Sequence, residues 1–323
     1  MKKILSIDGG GIRGIVPAVL LAEIERRTGK RIADMFDMIG GTSTGGILTL
    51  GLTKPDKNNS QRPQYTAEQL ISLYEREGNQ IFSRSRWYGL RSLGNLLSPK
   101  YTAHGIEGIL EKYFGEARLS EALGDVIITS YDIERRQSYF FKSHKAKMDS
   151  SKDFLMRRVA RATSAAPTYF PPSRVEMEND YLALVDGGVF ANNPAMCAYV
   201  EVRSIYPQQD DFLVVSIGTG ENTKRLPYEQ VSNWGVLNWA QPVLEVVFDG
   251  INDTIDYQLQ QIVRPAADGS KRYYRFQIKL PKEVNEELDD CTPNNIRGLR
   301  LLGEELVHNY DEDIATLCDL IKQ

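Results

Sequence analysis

Histidine and cysteine are scarce in this chain, with three of each in 323 residues. Cys197, Cys291 and Cys318 stand far apart in no metal-ligand spacing, so neither a disulfide framework nor a thiolate metal site is indicated. They are expected to be reduced, mostly buried thiols of an intracellular protein. No run of about 18 apolar residues exists, which excludes a transmembrane helix. The apolar stretch after Lys2 and Lys3 is shorter than the ~7–15 residues of a secretory signal. A cytoplasmic protein is expected, with at most a peripheral contact at a membrane surface. Basic charge is not in excess either. The net charge of −4 leaves no broad footprint for nucleic acid.

What is present is an alternation of strand and helix patterns. Short apolar runs predict strands at 3–7, 35–39, 125–131, 138–142, 181–185, 212–220 and 272–280. Periodic or capped segments predict helices at 15–27, 47–52, 66–78, 104–114, 153–163, from Pro194 onward, at 239–262 and at 296–321. Strands alternating with helices point to a mainly parallel sheet covered on both faces. Neither a repeat nor a low-complexity linker divides the chain, so 1–323 reads as a single domain.

Three glycine-rich turns follow strands. Gly41-Thr42-Ser43-Thr44-Gly45 matches G-x-S-x-G between a predicted strand and a predicted helix. A turn sharp enough to expose a serine crowds the positions two residues to either side, and glycine relieves the crowding. The following helix N-terminus favours negative charge at the serine. A purely structural glycine turn is the alternative.

Asp8-Gly9-Gly10-Gly11-Ile12-Arg13-Gly14 is a literal G-x-G-x-x-G, which admits a dinucleotide-binding oxidoreductase. That fold wants an acid closing the second strand, and here the second strand closes on GGTSTGG. The other use of consecutive glycines is an oxyanion hole, with the N–H groups of Gly10 and Gly11 as candidate donors. Arg13 is then a candidate for binding a phosphate or an acyl carbonyl, against a plain surface ion pair.

Asp186 follows the strand YLALV and precedes Gly187-Gly188, at a strand end where active sites of open sheets collect. A carboxylate can take a serine proton directly if burial raises its pKa. An Asp-Gly turn is the structural alternative. His104, His144 and His308 sit beside no glycine turn, which argues against a histidine base.

DGGGIRG at 8–14, GTSTG at 41–45 and DGG at 186–188, in that order, resemble the patatin-like phospholipase family. DMFDMIGGTSTGG, SPKY at 98–101, SAAPTYFPP at 164–172, LVDGGVFANNP at 184–194 and SIGTG at 216–220 extend the likeness over 3–220. Residues 221–323 are a less recognisable, mostly helical extension packed on that core. The resemblance implies an α/β fold, a three-layer α/β/α sandwich with a mainly parallel central sheet. It implies a calcium-independent serine lipid acyl hydrolase with a Ser43–Asp186 dyad, an oxyanion hole from Gly9, Gly10 and Gly11, and Arg13 as the loop's basic residue.

No metal and no cofactor are called for. The expected partner is a membrane phospholipid or other acyl-ester lipid. Some bacterial members are effectors of anti-phage defence, so the resemblance also admits a small cyclic nucleotide as activator, although no nucleotide site is legible. Oligomeric state cannot be read. A catalytically silent lipid-binding module is the rival from another class. Finally, FSRSRWYGLRSLGNLL at 82–97 holds Arg84, Arg86 and Trp87 among leucines with no acid. That composition suits a membrane-docking segment, with leucines entering the core as the alternative.

Overall fold

The computed structural model describes residues 1–82, 99–239 and 242–322. Among them, eight strands form one mixed sheet: β1 (Lys2–Ile7), β2 (Met38–Gly41), β3 (Asp125–Asp132), β4 (Gln137–Lys142), β5 (Ser173–Glu176), β6 (Tyr181–Asp186), β7 (Phe212–Ile217) and β8 (Tyr273–Phe276). Their order is β5-β6-β3-β2-β1-β7-β8, with β4 also paired to β3. The five strands β3, β2, β1, β7 and β8 run parallel. β4, β6 and β5 are antiparallel additions at one side.

Nine helices of eight or more residues cover this sheet among the described residues. They are α1 (Ile15–Thr28), α2 (Thr44–Thr53), α3 (Ala67–Ile81), α4 (Ala103–Phe114), α5 (Met156–Thr163), α6 (Ala195–Ile205), α7 (Pro242–Ile262), α8 (Pro293–Asn309) and α9 (Asp311–Lys322). Strand side chains alternate between faces. Leu5 and Ile7 of β1 therefore enter a large core with α1, α3, α4, α5, α8 and α9. Ile4 enters a second core with α6 and Leu259 of α7. Both faces are dry, which is why KILSI and FLVVSI read as continuous apolar runs. The result is a three-layer α/β/α sandwich. β8 is hydrogen-bonded to β7, and α8 and α9 supply Leu299, Leu302, Ile314 and Leu317 to the larger core. No helix among the described residues is long and apolar enough to cross a membrane.

Several boundaries differ from the sequence expectation. The second strand is Met38–Gly41, because Ile32–Met35 winds into a helical turn and Asp37 is held by the start of β1. Its carboxylate accepts from the Lys3 N–H and from Lys2 Nζ, both at 2.8 Å. Helix α5 starts at Met156, because the Asp153 side chain is engaged by the N–H and hydroxyl of Ser120. The closing helix is two helices broken at Tyr310. The Tyr310 ring packs edge-on against Phe276, and its hydroxyl donates to the Gln277 carbonyl. Asp311, Glu312 and Asp313 then suit a fresh N-terminus. β8 is shorter than 272–280, covering Tyr273–Phe276.

Candidate active site

β2 ends at Gly41 and α2 begins at Thr44, leaving Ser43 on the bend with φ 55° and ψ −123°. A side chain in that region costs about 1–3 kcal/mol and persists only where surroundings enforce it. They do so here. The Ser43 N–H donates to Thr163 Oγ1 at 2.9 Å, and the Ile47 N–H takes the Ser43 carbonyl at 3.1 Å. Thr42 Oγ1 donates to the Ala191 carbonyl at 2.6 Å. A Cβ at Gly45 would run into the Ile7 carbonyl, so the elbow closes against β1 only with glycine there.

Register brings Asp186 to this bend. Ile7, Gly41 and Ile128 form one row across β1, β2 and β3. Two residues further along β3 is Ser130, which pairs with Asp186 of β6. The aspartate thus stands level with Ser43 although its strand runs antiparallel to β3. Its position beside the serine comes from this pairing, not from the parallel-sheet rule that first pointed to it.

Asp186 is buried, its Oδ1 accepts the Gly188 N–H at 2.8 Å, and its carboxylate lines the same cleft as Ser43. Burial pushes its pKa up to about 7, with the Ser43 and Gly188 hydrogen bonds pulling the other way. No histidine lines this site. His104 and His308 are exposed, and His144 pairs with Glu201 at 3.2 Å.

The glycine loop lies across from the pair. The Gly9 N–H donates to the Asn192 carbonyl at 3.0 Å, and the Gly9 carbonyl accepts from Thr219 Oγ1 at 2.7 Å. Gly9 is therefore corrected from oxyanion donor to anchor. A Cβ there would run into the Asn192 side chain and come 3.3 Å from Ser43 Cβ, so its role is to permit close approach. Among the described residues, no protein acceptor takes the N–H groups of Gly10 and Gly11.

Gly10 and Gly11 line a cleft of about 620 Å³, counting the space open to solvent, together with Ser43, Asp186 and Asn192. Its remaining wall is mostly apolar and includes Ile47, Ile81, Phe82, Ile106, Phe170 and Phe248. Such an apolar wall suits a hydrocarbon group, with the polar groups gathered around Ser43.

Residues 5–199 match the patatin-like phospholipase family. The chain belongs to that family. It is 34% identical to Patatin-like protein 2 of Oryza sativa subsp. indica, covering 95% of this chain and 84% of that protein. It is also 34% identical to Patatin-like protein 4 of Arabidopsis thaliana, covering 94% and 82%. A human GIVD cytosolic phospholipase A2 structure superposes with TM-score 0.49 at 11% identity, covering 99% of this chain and 60% of that one. As a patatin-like phospholipase the chain is a lipid acyl ester hydrolase, and the dinucleotide-binding alternative falls away.

Within the patatin-like frame, Arg13 is not where the sequence suggested. It does not line the cleft. It is buried, and its Nη1 donates to Asn222 Oδ1 at 2.7 Å, in the field of Asp249, Glu245 and Glu286. Burial lowers its pKa, and those acids oppose the shift. A local motif cannot say which way a long side chain turns. Arg84, Arg86 and Trp87 lie outside the described residues.

Thr163, Asn192, Thr219 and Arg275 hold the site but were given no role from sequence. The first three stand in or beside segments already noted for their family likeness. Arg275 had no such signal. Its guanidinium pairs with buried Asp8 at 2.7 Å and donates to Ser216 Oγ at 2.8 Å, tying the start of the glycine loop to β7 and β8. Burial raises the Asp8 pKa to about 6, against the pull of Arg275. Removing one partner of a buried pair typically costs about 3–5 kcal/mol. Arg275→Met is expected to lose stability of that order in urea unfolding, and Asp8→Asn in the same chain should restore part of it. An unchanged midpoint in the single variant would show that the pair does not hold the loop.

Proposed function

We propose that this patatin-like protein is a phospholipase A-type hydrolase acting at a membrane surface through Ser43 and Asp186. The observation that carries this reading is the buried Asp186 carboxylate facing the same apolar cleft as Ser43, beside two uncommitted glycine N–H groups.

Ser43 Oγ attacks the ester carbonyl carbon as Asp186 takes its proton. The carbonyl oxygen becomes an oxyanion held by the N–H groups of Gly10 and Gly11, each donor contributing about 3 kcal/mol to the transition state. The carbon–oxygen bond to the alcohol breaks, and protonated Asp186 returns the proton to that alkoxide, releasing lysolipid. Water, deprotonated by Asp186, then attacks the acyl-serine, and the fatty acid leaves as Ser43 is reprotonated. The α2 N-terminus favours the negative charge that develops.

The test of the dyad is its independence from histidine. His104→Ala, His144→Ala and His308→Ala are each expected to hydrolyse phosphatidylcholine vesicles within about twofold of the parent, since none reaches the cleft. A folded single-histidine variant with no activity would replace the dyad by a triad.

A further inference from the structure

The exposed apolar side chains are concentrated, not scattered. Of fourteen large hydrophobic residues exposed among the described residues, seven fall between 226 and 247. Tyr228, Val236 and Leu237 are 78%, 86% and 76% exposed. Val243, Val246 and Val247 are exposed on the first turns of α7. The same turns point Phe248 into the cleft that holds Ser43, and Leu244 with Phe248 into an adjoining pocket beside Tyr169.

This stretch of α7 is thus apolar toward solvent, while toward the protein it presents Leu244 and Phe248 beside Glu245 and Asp249, which face Arg13. Further along the helix the pattern changes. Leu259 is buried while Asp253, Thr254, Gln258, Gln260 and Gln261 face outward, with Tyr257 the chief exception. Apolar side chains turned to solvent are out of place in water unless something covers them, and α7 carries a run of them only beside the cleft. Singly scattered exposed hydrophobics need no explanation, but their concentration in one segment beside the cleft points to an interaction surface.

We propose that residues 226–239 and 242–247 form the face by which this protein docks on a lipid bilayer. The outward side chains of Val236, Leu237 and early α7 enter the acyl boundary, and the cleft wall formed by Phe248 lies next to them. The inference rests on the phospholipase reading, because a substrate that resides in a bilayer must pass from it to the Ser43 cleft. Exposed Lys224 and Arg225 at the rim suit anionic headgroups. A second copy of the chain is the competing occupant.

Flotation with phosphatidylcholine vesicles, with and without phosphatidylglycerol, separates these outcomes. It is done on Ser43→Ala protein so that hydrolysis does not alter the vesicles. Adding Val236→Asp, Leu237→Asp and Val247→Asp is expected to lower vesicle partitioning by about tenfold or more. Leu237→Trp, which carries no folding risk at so exposed a site, is expected to raise it. Lys224→Glu with Arg225→Glu should weaken binding only where phosphatidylglycerol is present. With Ser43 intact, the triple aspartate chain should lose vesicle hydrolysis while keeping hydrolysis of a short soluble ester.

Unchanged flotation of both the triple aspartate and the tryptophan chains would overturn the proposal. So would a parent that elutes as a dimer and becomes a monomer on the triple substitution. A parent that floats but cleaves no ester would leave the docking face standing and remove the phospholipase reading instead.

Discussion

Ser43→Ala is expected to fold as the parent does and to hydrolyse ester some 10⁴–10⁶-fold more slowly, on the order seen when a serine nucleophile is removed. Labelling by a fluorophosphonate probe should vanish with it, because only an activated serine reacts. The structure adds a stability expectation. Ser43 stands at φ 55° and ψ −123°, a region that glycine enters freely and other residues enter at about 1–3 kcal/mol. Ser43→Gly is therefore expected to be as inactive as the alanine chain and at least as stable as the parent, with a gain of about 1 kcal/mol after the extra unfolded-state entropy of glycine. Alanine keeps the strain and should show no such gain. Rates on a short soluble ester, probe labelling and urea midpoints read all three. Substantial turnover by folded Ser43→Ala protein would remove Ser43 as nucleophile. A glycine chain clearly less stable than the alanine chain would show that the bend is not strained.

The elbow and the glycine loop were legible because both are local devices. The elbow glycines Gly41 and Gly45 sit where a Cβ would meet backbone, and a strand–turn–helix context can be read within a few residues. The layered fold was legible for a related reason, since strands buried on both faces leave apolar runs and their helical crossovers leave periodic ones. What sequence could not supply was pairing across long separations. It placed Asp186 at a strand end but not on an antiparallel strand, whose register with Ser130 sets it level with Ser43. It offered Gly9 as a donor because nothing local shows that the Asn192 carbonyl takes that N–H. It sent Arg13 toward the substrate, where the side chain instead turns to Asn222. Arg275, the partner of Asp8, lies beyond the region whose motifs could be recognised. The break at Tyr310 was hidden because its cause is Phe276 and Gln277 on and beside another strand.

Asp186→Asn is expected to be nearly inactive and yet more stable than the parent at mildly alkaline pH. Only the carboxylate can accept the Ser43 proton, so kcat/KM on a soluble ester should climb with pH and level off above about 7, where Asp186 ionises. The same shift acts on folding with a definite sign. The carboxyl titrates near 3.8 in the unfolded chain and near 7 in the fold, so the folded state holds its proton more tightly. Its contribution to stability is fully present below about pH 4, declines as pH rises, and is lost above about 7. The full difference is on the order of 4 kcal/mol for this wholly buried group. Asp8, raised to about 6 by burial, declines in the same direction over a narrower window and is untouched by the substitution. Asparagine has no such charge. Its Oδ1 can still accept the Gly188 N–H, and its amide can face Ser43 Oγ in place of the lost acceptor. Urea unfolding near pH 4 should then find parent and variant alike, and near pH 8 should find the variant more stable by up to a few kcal/mol. A variant that keeps parental turnover would dismiss Asp186 as the base. Equal stabilities at both pH values would mean that the carboxylate is not desolvated in the fold, and that a base poised near neutrality must be sought elsewhere in the cleft.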